Sequence, residues 1–484
     1  MAGTLQAGTG YSILTPPLGV ELGGYGYYLK RRATVIRRNL YARALVLAQG
    51  GTRVALVACD LLGLSAEVVR QARQQIEAMT RVPGSHVLIA CTGTHSAPAT
   101  FWTHGLGEPD ASYVALLPRL IASAVAEAEQ DLEPARVLVG SMDLAGLARR
   151  RVLPFDIVDT PVTALDIWQT DSDQKCAILL YHCSPSCMAP EDTDVHTDFP
   201  GIAAHMLESL PEYEFAICLP GTFGDLEPVH ARSGLTGVRR SARMLAGAGL
   251  IALGNGRELE SLHPLRCVER SITLPLAPPD PQVLRQRRKD NLALLAERDP
   301  DSPEGQTARF WAEACDGLLY RLTGEPEPLL ETLRDAQGDI ARRTGRAPRV
   351  QELAAVLDLP ADSVTRLLRL QQADMAPPAP TTMQCPVQVI QVGDIAFLAH
   401  PAQLYTGPGQ EILRHSPFEV TCMIGNANGY IGYVPDVMEY RRRGYAAEVA
   451  PYLLEQFPFA PSVGEIFVEA CVQLLEDVRK GRCD

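Results

Sequence analysis

Apolar runs that stop abruptly in small or polar residues punctuate the first half of the chain. Ala7 to Pro17 reads as a short strand closed by a turn. Tyr41 to Leu47 and Arg53 to Cys59 are β-type runs separated by Gln49-Gly50-Gly51, which predicts a hairpin, and Asp60 follows the second run. Ser65 to Thr80 has helical spacing with Ser65 as N-cap. Val87 to Cys91 is β-branched and apolar, then breaks into Thr92-Gly93-Thr94-His95-Ser96-Ala97-Pro98. A buried strand that delivers a side chain to a site at its carboxyl end reads this way. Tyr113 to Glu129 is an alanine-rich amphipathic helix. Arg136 to Gly140 and Val162 to Gln169 are strands, with Leu147 to Arg151 between them as a charged connection. Cys176 to His182 and Phe215 to Leu219 are further buried strands. A loop from Asp192 to Gly201 leads into a helix at Ile202 to Leu210. Strand, then Gly, Asp or His, then helix: the alternation predicts α/β layers with loops gathered at one edge.

The pattern changes near Pro279. Pro281 to Arg298 and Thr307 to Leu322 read as charged helices, Leu329 to Leu370 as continuing helix, and Met375 to Thr381 as a Pro-rich linker. Strand character returns at Pro386 to Ile390 and Ile395 to Ala399, and Phe459 to Val478 ends in an amphipathic helix. The expected organisation is one discontinuous α/β domain, residues 1–279 and 382–484, interrupted by a helical insertion at 280–381. The core is expected to be two sheets flanked by helices.

Composition narrows the setting. The 484 residues carry 46% hydrophobic and 21% charged side chains, ordinary for a soluble globular protein, and the net charge of -13 disfavours nucleic acid or an anionic membrane as partner of the whole surface. The N-terminal residues have no basic and apolar leader, and no apolar run reaches the ~18 residues of a membrane span. Twelve scattered cysteines, mostly inside strand-like runs, then read as reduced small hydrophobes and the expected location is cytoplasmic. A homo-oligomer is possible.

His95, His182, His196, Asp60, Asp198 and Asp225 all follow strand-like runs, an arrangement that suits a metal-assisted hydrolase if they converge. There is no H-E-x-x-H, no paired C-x-x-C and no G-x-S-x-G elbow. The residues alone give an α/β enzyme candidate with a His/Asp-rich pocket.

The order of motifs resembles the neutral/alkaline non-lysosomal ceramidase superfamily. Gly8-Thr9-Gly10 with Ile13-Leu14-Thr15-Pro16 resembles its opening strand and turn. Leu56 to Asp60 and Thr92 to Pro98 resemble its next two strand ends. Tyr181-His182, Thr197-Asp198-Phe199-Pro200-Gly201 and Gly224-Asp225-Leu226-Glu227-Pro228 follow in order. Gly425-Asn426-Ala427-Asn428-Gly429-Tyr430-Ile431-Gly432-Tyr433-Val434-Pro435, then Tyr440 and Tyr445, match best. The resemblance implies an amide hydrolase of N-acylated sphingoid bases in which zinc activates water. It places the metal ligands at Gly93, His182, Gln403 and Tyr433. Two of these are substituted: glycine offers no donor and glutamine a neutral one, so Zn²⁺ is doubtful and no other cofactor is expected. The resemblance further implies that His95 meets substrate, that Tyr445 supports the oxyanion, and that Arg149 or Arg150 lies near the substrate amide. Asp60, Asp198, Asp225, Gln403 and Tyr430 are expected around the pocket.

Three outcomes stay open. Asp60, Cys91, His95, His196 or Asp198 could rebuild a shifted metal site. A Cys or His base could run metal-independent acyl transfer, forming an amide or ester, with Tyr445 and Arg149 on the oxyanion. Or the chain could be an inactive ligand-binding homologue. The leading expectation is an amidohydrolase acting on an N-acyl amide or related small acyl substrate other than ceramide. Full-length ceramidases carry a further C-terminal immunoglobulin-like domain, which is not expected here and makes a soluble substrate the better fit. Residues 340–372 also resemble a helix-turn-helix of sigma-factor type. Its small excess of arginine over acid favours a helical cover or dimer contact over nucleic acid.

Overall fold

The computed structural model describes residues 3–152, 154–323, 328–372 and 380–482. The predicted hairpin forms with Tyr41–Gln49 antiparallel to Thr52–Cys59, and Gly50 and Gly51 turn it with φ of 57° and 94°. It sits inside a large mixed sheet with eight strands along its path. From one edge these are Phe215–Pro220, Lys175–Tyr181, Ile157–Gln169, Glu133–Arg150, Gln6–Ile13, Tyr41–Gln49, Thr52–Cys59 and Val87–Cys91. Each outermost pair is parallel and the inner pairs are antiparallel. Four strands, those ending at Cys59, Cys91, Tyr181 and Pro220, therefore open their carboxyl ends into loops that hold the candidate residues.

A second sheet runs Leu265–Pro275, Thr382–Val392, Ile395–Ala399 and Val420–Ile424. Its first strand precedes the insertion and its second follows it, paired antiparallel from Leu265↔Val392 to Pro275↔Thr382. The two sheets share a buried layer in which Leu88, Ile178 and Leu219 meet Ile390, Phe397 and Ile424. Residues Asn426 to Gly429, a turn with φ of 53° at Asn426 and 60° at Asn428, stitch the sheets together. Cys91 N–H donates to Asn426 O and Asn428 N–H to Ile89 O. The Asn426 amide donates to Cys91 O and Leu62 O, while Asn428 accepts from Ile89 N–H and donates to Gln388. The turn thus satisfies the outer edge of the Val87–Cys91 strand, which would otherwise bury unpaired backbone groups.

Ser65 caps the Ala66–Met79 helix as expected, accepting from Val68 N–H. Three readings are corrected. The arginine run is not a connection: Glu133–Arg150 is one continuous strand of 18 residues, with a register shift between Leu144 and Ala148. The helix Ala111–Gln130 is long and apolar enough to cross a membrane by length and composition; in the fold, its Leu117, Ile121 and Val125 face pack into the main core with residues of the first strands. Residues Leu329 to Leu370 form three helices, Pro328–Thr344, Val350–Leu357 and Ala361–Gln372, not one. The breaks fall at Gly345 (φ 69°) and Asp358 (φ 52°). Of the predicted linker at Met375 to Thr381, residues 375–379 lie outside the described residues.

Helices Pro281–Glu297 and Pro303–Thr323 bury Leu284, Phe310 and Leu318 in the same core as Leu274, Val387 and Phe467. The three helices beyond keep a small core of their own around Leu333, Leu353, Val364 and Leu367. Arg366 on the last of them is buried on Glu455 at 2.6 Å, and Arg369 lies 4.3 Å from the Trp102 ring centre. These cations of the helix-turn-helix-like segment face the protein.

Candidate active site

Two loop systems meet over the carboxyl ends of the strands. In one, Gly224 N–H donates to Leu404 O, and any side chain at 224 would strike the Gln403 carbonyl, so glycine is required there. Asp225 fixes the contact: its carboxylate accepts from Thr406 N–H at 2.8 Å and Thr406 Oγ1 at 2.7 Å, with Arg150 at 3.5 Å. In the other, Gln403–Leu404 pairs in parallel with Tyr433–Val434. The result is a cavity of about 90 Å³ whose polar wall is His95, Thr103, Arg151, Gln403, Tyr430, Tyr433 and Tyr445. Its apolar wall includes Leu62, Phe101, Leu453 and Leu454, with Phe101 and Tyr430 in ring contact at 4.8 Å. Tyr445 is 42% exposed and stands at the mouth.

Arg151 is the only charged group in this wall. Its Nε and Nη2 both donate to Gly224 O, at 3.1 and 2.8 Å. Its guanidinium carbon lies 5.0 Å from the Tyr433 ring centre and 5.7 Å from that of Tyr445. The neighbouring arginines are turned elsewhere. Arg149 is paired with Glu227 at 2.6 Å, and Arg150 with Asp156 and Asp225. Of the run Arg149-Arg150-Arg151, the residue facing the cavity is the third. It is the first residue past the end of the strand, and only the acidic partners at 225 and 227, remote in sequence, reveal which arginines are already neutralised.

His95 faces the cavity with its Nδ1 buried and unpartnered, and its ring meets Tyr25 edge-on at 4.5 Å. Burial, with the cations Arg31, Arg151 and Arg232, pulls its pKa down to about 3, so the imidazole is neutral near pH 7. Gly24 presses on this ring, and a Cβ there would lie 2.9 Å from it.

The other predicted residues do not join this cavity. His182 lines a neighbouring cleft with Arg150, Thr160, Thr222 and Leu413. Its Nδ1 accepts from Thr222 N–H at 2.9 Å, so the proton of the neutral ring sits on Nε2. Burial lowers its pKa to about 4. Asp60 lies in a cleft on another side with Arg38, Tyr41 and Arg43, where burial raises its carboxyl to about 7. Asp198 is fully buried and accepts from Cys187, Met188 and Phe199 N–H groups. Burial raises it to about 6. His196 Nδ1 accepts from Asp198 N–H. Asp60, Cys91, His95, His196 and Asp198 are therefore dispersed in roles of their own. Among the described residues no group of three or more His, Cys, Asp or Glu is placed to hold a metal ion.

The residues at the four ligand positions do not suit zinc. Gly93 supplies no donor, and a Cβ there would point at Pro185, Phe223 and Asn426. His182 lies outside the cavity that Gln403 and Tyr433 share, and its Nε2 carries a proton where a metal ligand needs a lone pair. What the cavity can do is bind and polarise. It offers a guanidinium, phenols and an amide to a carbonyl or an anion, with no Ser, Cys or Lys in its wall to attack.

No curated protein sequence matches the chain. Residues 6–216 match the profile of the N-terminal domain of neutral/alkaline non-lysosomal ceramidases. Among solved structures, neutral ceramidase from Pseudomonas aeruginosa superposes with a TM-score of 0.69 at 20% identity, over 99% of this chain and 75% of that one. A ceramidase complexed with C2 does so with a TM-score of 0.69 at 18% identity, over 99% and 76%. The mixed α/β architecture, with its paired sheets and flanking helices, is thus the neutral ceramidase fold, and residues 6–216 belong to the N-terminal domain of the neutral/alkaline non-lysosomal ceramidase family.

Proposed function

We propose that the chain is a hydrolase of a soluble N-acyl amide, or a related acyl compound, other than ceramide, and that it works without tightly held zinc. The observation that carries this is the cavity itself. Arg151 and the phenols of Tyr433 and Tyr445 surround a small space beside a neutral His95, at the confluence of strand ends. Such donors stabilise the negative charge that forms on a carbonyl oxygen when it is attacked. The wall holds no Ser, Cys or Lys, its one aliphatic hydroxyl is Thr103, and on this reading the attacking group comes from solution. Water adds to the carbonyl carbon, the C–N bond breaks, and the amine leaves with the proton. His95 is a weak base while the cavity is empty, and the oxyanion forming beside it raises its proton affinity as the reaction proceeds. If an amine or hydroxyl compound attacks in place of water, the same site performs acyl transfer.

A reducing, cytoplasmic setting fits the described cysteines, which are all free and mostly buried. The test is turnover of a panel of N-acyl amides by the purified protein, with added Zn²⁺ or chelator, alongside elemental analysis. Turnover that survives the chelator, at well below one zinc per chain, is expected. Activity lost to chelator and restored by zinc would overturn the metal-free reading. Tight retention of an acyl ligand without turnover would make the chain a binding protein.

A further inference from the structure

The cavity holds a cation with no counter-ion. The groups around Arg151 are the Gly224 carbonyl and the rings of Tyr433 and Tyr445, none of which carries a formal negative charge. The nearby carboxylates are committed elsewhere. Asp225 is held by Thr406 and Arg150, Glu227 by Arg149, and Glu439 by Ala446 N–H and the Tyr405 hydroxyl. A charge held away from bulk water is costly unless something answers it, and among the described residues no carboxylate is paired with this one.

The positive character extends to the back of the cavity. Arg31, 5% exposed, donates only to backbone carbonyls, those of Gly23, His95 and Asp192. It lies 4.9 Å from the Tyr25 ring centre, and Tyr25 in turn abuts His95. The depressed proton affinity of His95 reports the same field. Opposite Arg151 the wall is apolar, with Leu62, Phe101 and Leu453, and about 90 Å³ admits a carboxylate and a few carbons, not a long acyl chain.

We propose that the substrate bears its own carboxylate, within a few bonds of the scissile amide, and that Arg151 receives it while the apolar wall takes a short side chain. An amide of this class is an acylated amino acid or the half-amide of a short dicarboxylic acid. Guanidinium suits this partner because its planar donors match two carboxylate oxygens. Nε and one Nη2 donor are on Gly224 O and Tyr433 also hydrogen-bonds the guanidinium, which leaves part of its five-donor fork for the ligand. This assignment rests on the cavity being the reactive site, as argued above.

The probe pair is N-acetyl-leucine and N-acetyl-leucinamide, which match in shape and differ in charge. Calorimetric binding to the full chain should favour the carboxylate at least ~10-fold, with a preference that falls as salt rises. Arg151→Gln should weaken N-acetyl-leucine by ~10- to 100-fold and N-acetyl-leucinamide by at least ~5-fold less than that, because a charge-assisted pair is lost only with the carboxylate. Arg151→Lys should retain part of the preference, and it keeps the test valid if the Gln variant loses its fold. Equal binding of the two probes by the wild type, or equal weakening of both by Arg151→Gln, would overturn the assignment. The hydrolase reading fails separately: selective binding of N-acetyl-leucine with no release of leucine or of any amine from the amide panel overturns it and leaves the ligand class standing. Hydrolysis of neutral amides with no charge preference sustains the hydrolase and overturns the ligand class.

Discussion

A buried ionisable side chain states how the fold will respond to pH, and Asp60 is the clearest case. It is 5% exposed, accepts one hydrogen bond from Tyr41 N–H, and is held to about 7 mainly by burial, with Arg43 opposing. Its folded value is above its unfolded one near 3.8. The native state therefore binds the extra proton between these values, so the stability it contributes is full below about 4 and is lost as pH rises through about 7. Asparagine has the same shape and no charge to bury. Asp60→Asn should gain on the wild type between pH 5 and pH 8 by about 2–3 kcal/mol, read from thermal or urea unfolding at the two values. A difference that does not change with pH would mean that Asp60 is ionised throughout. His95 and His182 act with the opposite sign. Their folded values, about 3 and about 4, lie below 6.5, so they cost stability as pH falls through that range.

Among the elements, the Asn426–Gly429 turn holds two sheets with side-chain amides in place of a strand. Asn428 is 5% exposed, and removing its amide strands Ile89 N–H and the Gln388 side chain in the interior. Asn428→Ala should lower the unfolding free energy by roughly 2–4 kcal/mol, because each stranded group costs about 1–3 kcal/mol and alanine also tolerates φ of 60° poorly. A loss under 1 kcal/mol would mean that water replaces the amide. This turn also shows where the sequence was legible. The Asn-Gly composition announced a sharp turn, and hydrophobic runs announced the hairpin, the Ser65 cap and most core strands, because those depend on neighbours along the chain. Partners at long range were not legible. Nothing near Arg149 in sequence says that Glu227 will occupy it, or that Thr222 N–H will occupy Nδ1 of His182. The sequence pointed to the stretch Arg149 to Arg151, and only the folded partners tell its three arginines apart.

At the scale of the molecule, the insertion has two parts with different attachments. Helices Pro281–Glu297 and Pro303–Thr323 share the core beside the second sheet, whereas the three helices of 328–372 keep their own and meet the rest through Tyr320 and polar contacts. Chief among these are Arg366 on Glu455, Arg309 on Asp362, and Ser363 on Glu313. Glu455→Gln leaves the Arg366 charge buried against a neutral partner, a change that typically costs about 3–5 kcal/mol. Hydrogen exchange should show 328–372 losing protection ahead of both sheets in that variant. Simultaneous loss everywhere would show that the helical tip and the sheets unfold as one cooperative unit. The stillness of Arg151 has its own consequence. A long side chain ordinarily surrenders rotamer freedom when a ligand arrives, but this one is already tied twice to Gly224 O and laid over two rings. Capture then carries little further conformational entropy loss and no waiting for a loop to close. Association is accordingly limited by diffusion and approach angle, and differences between related ligands fall on how slowly they leave.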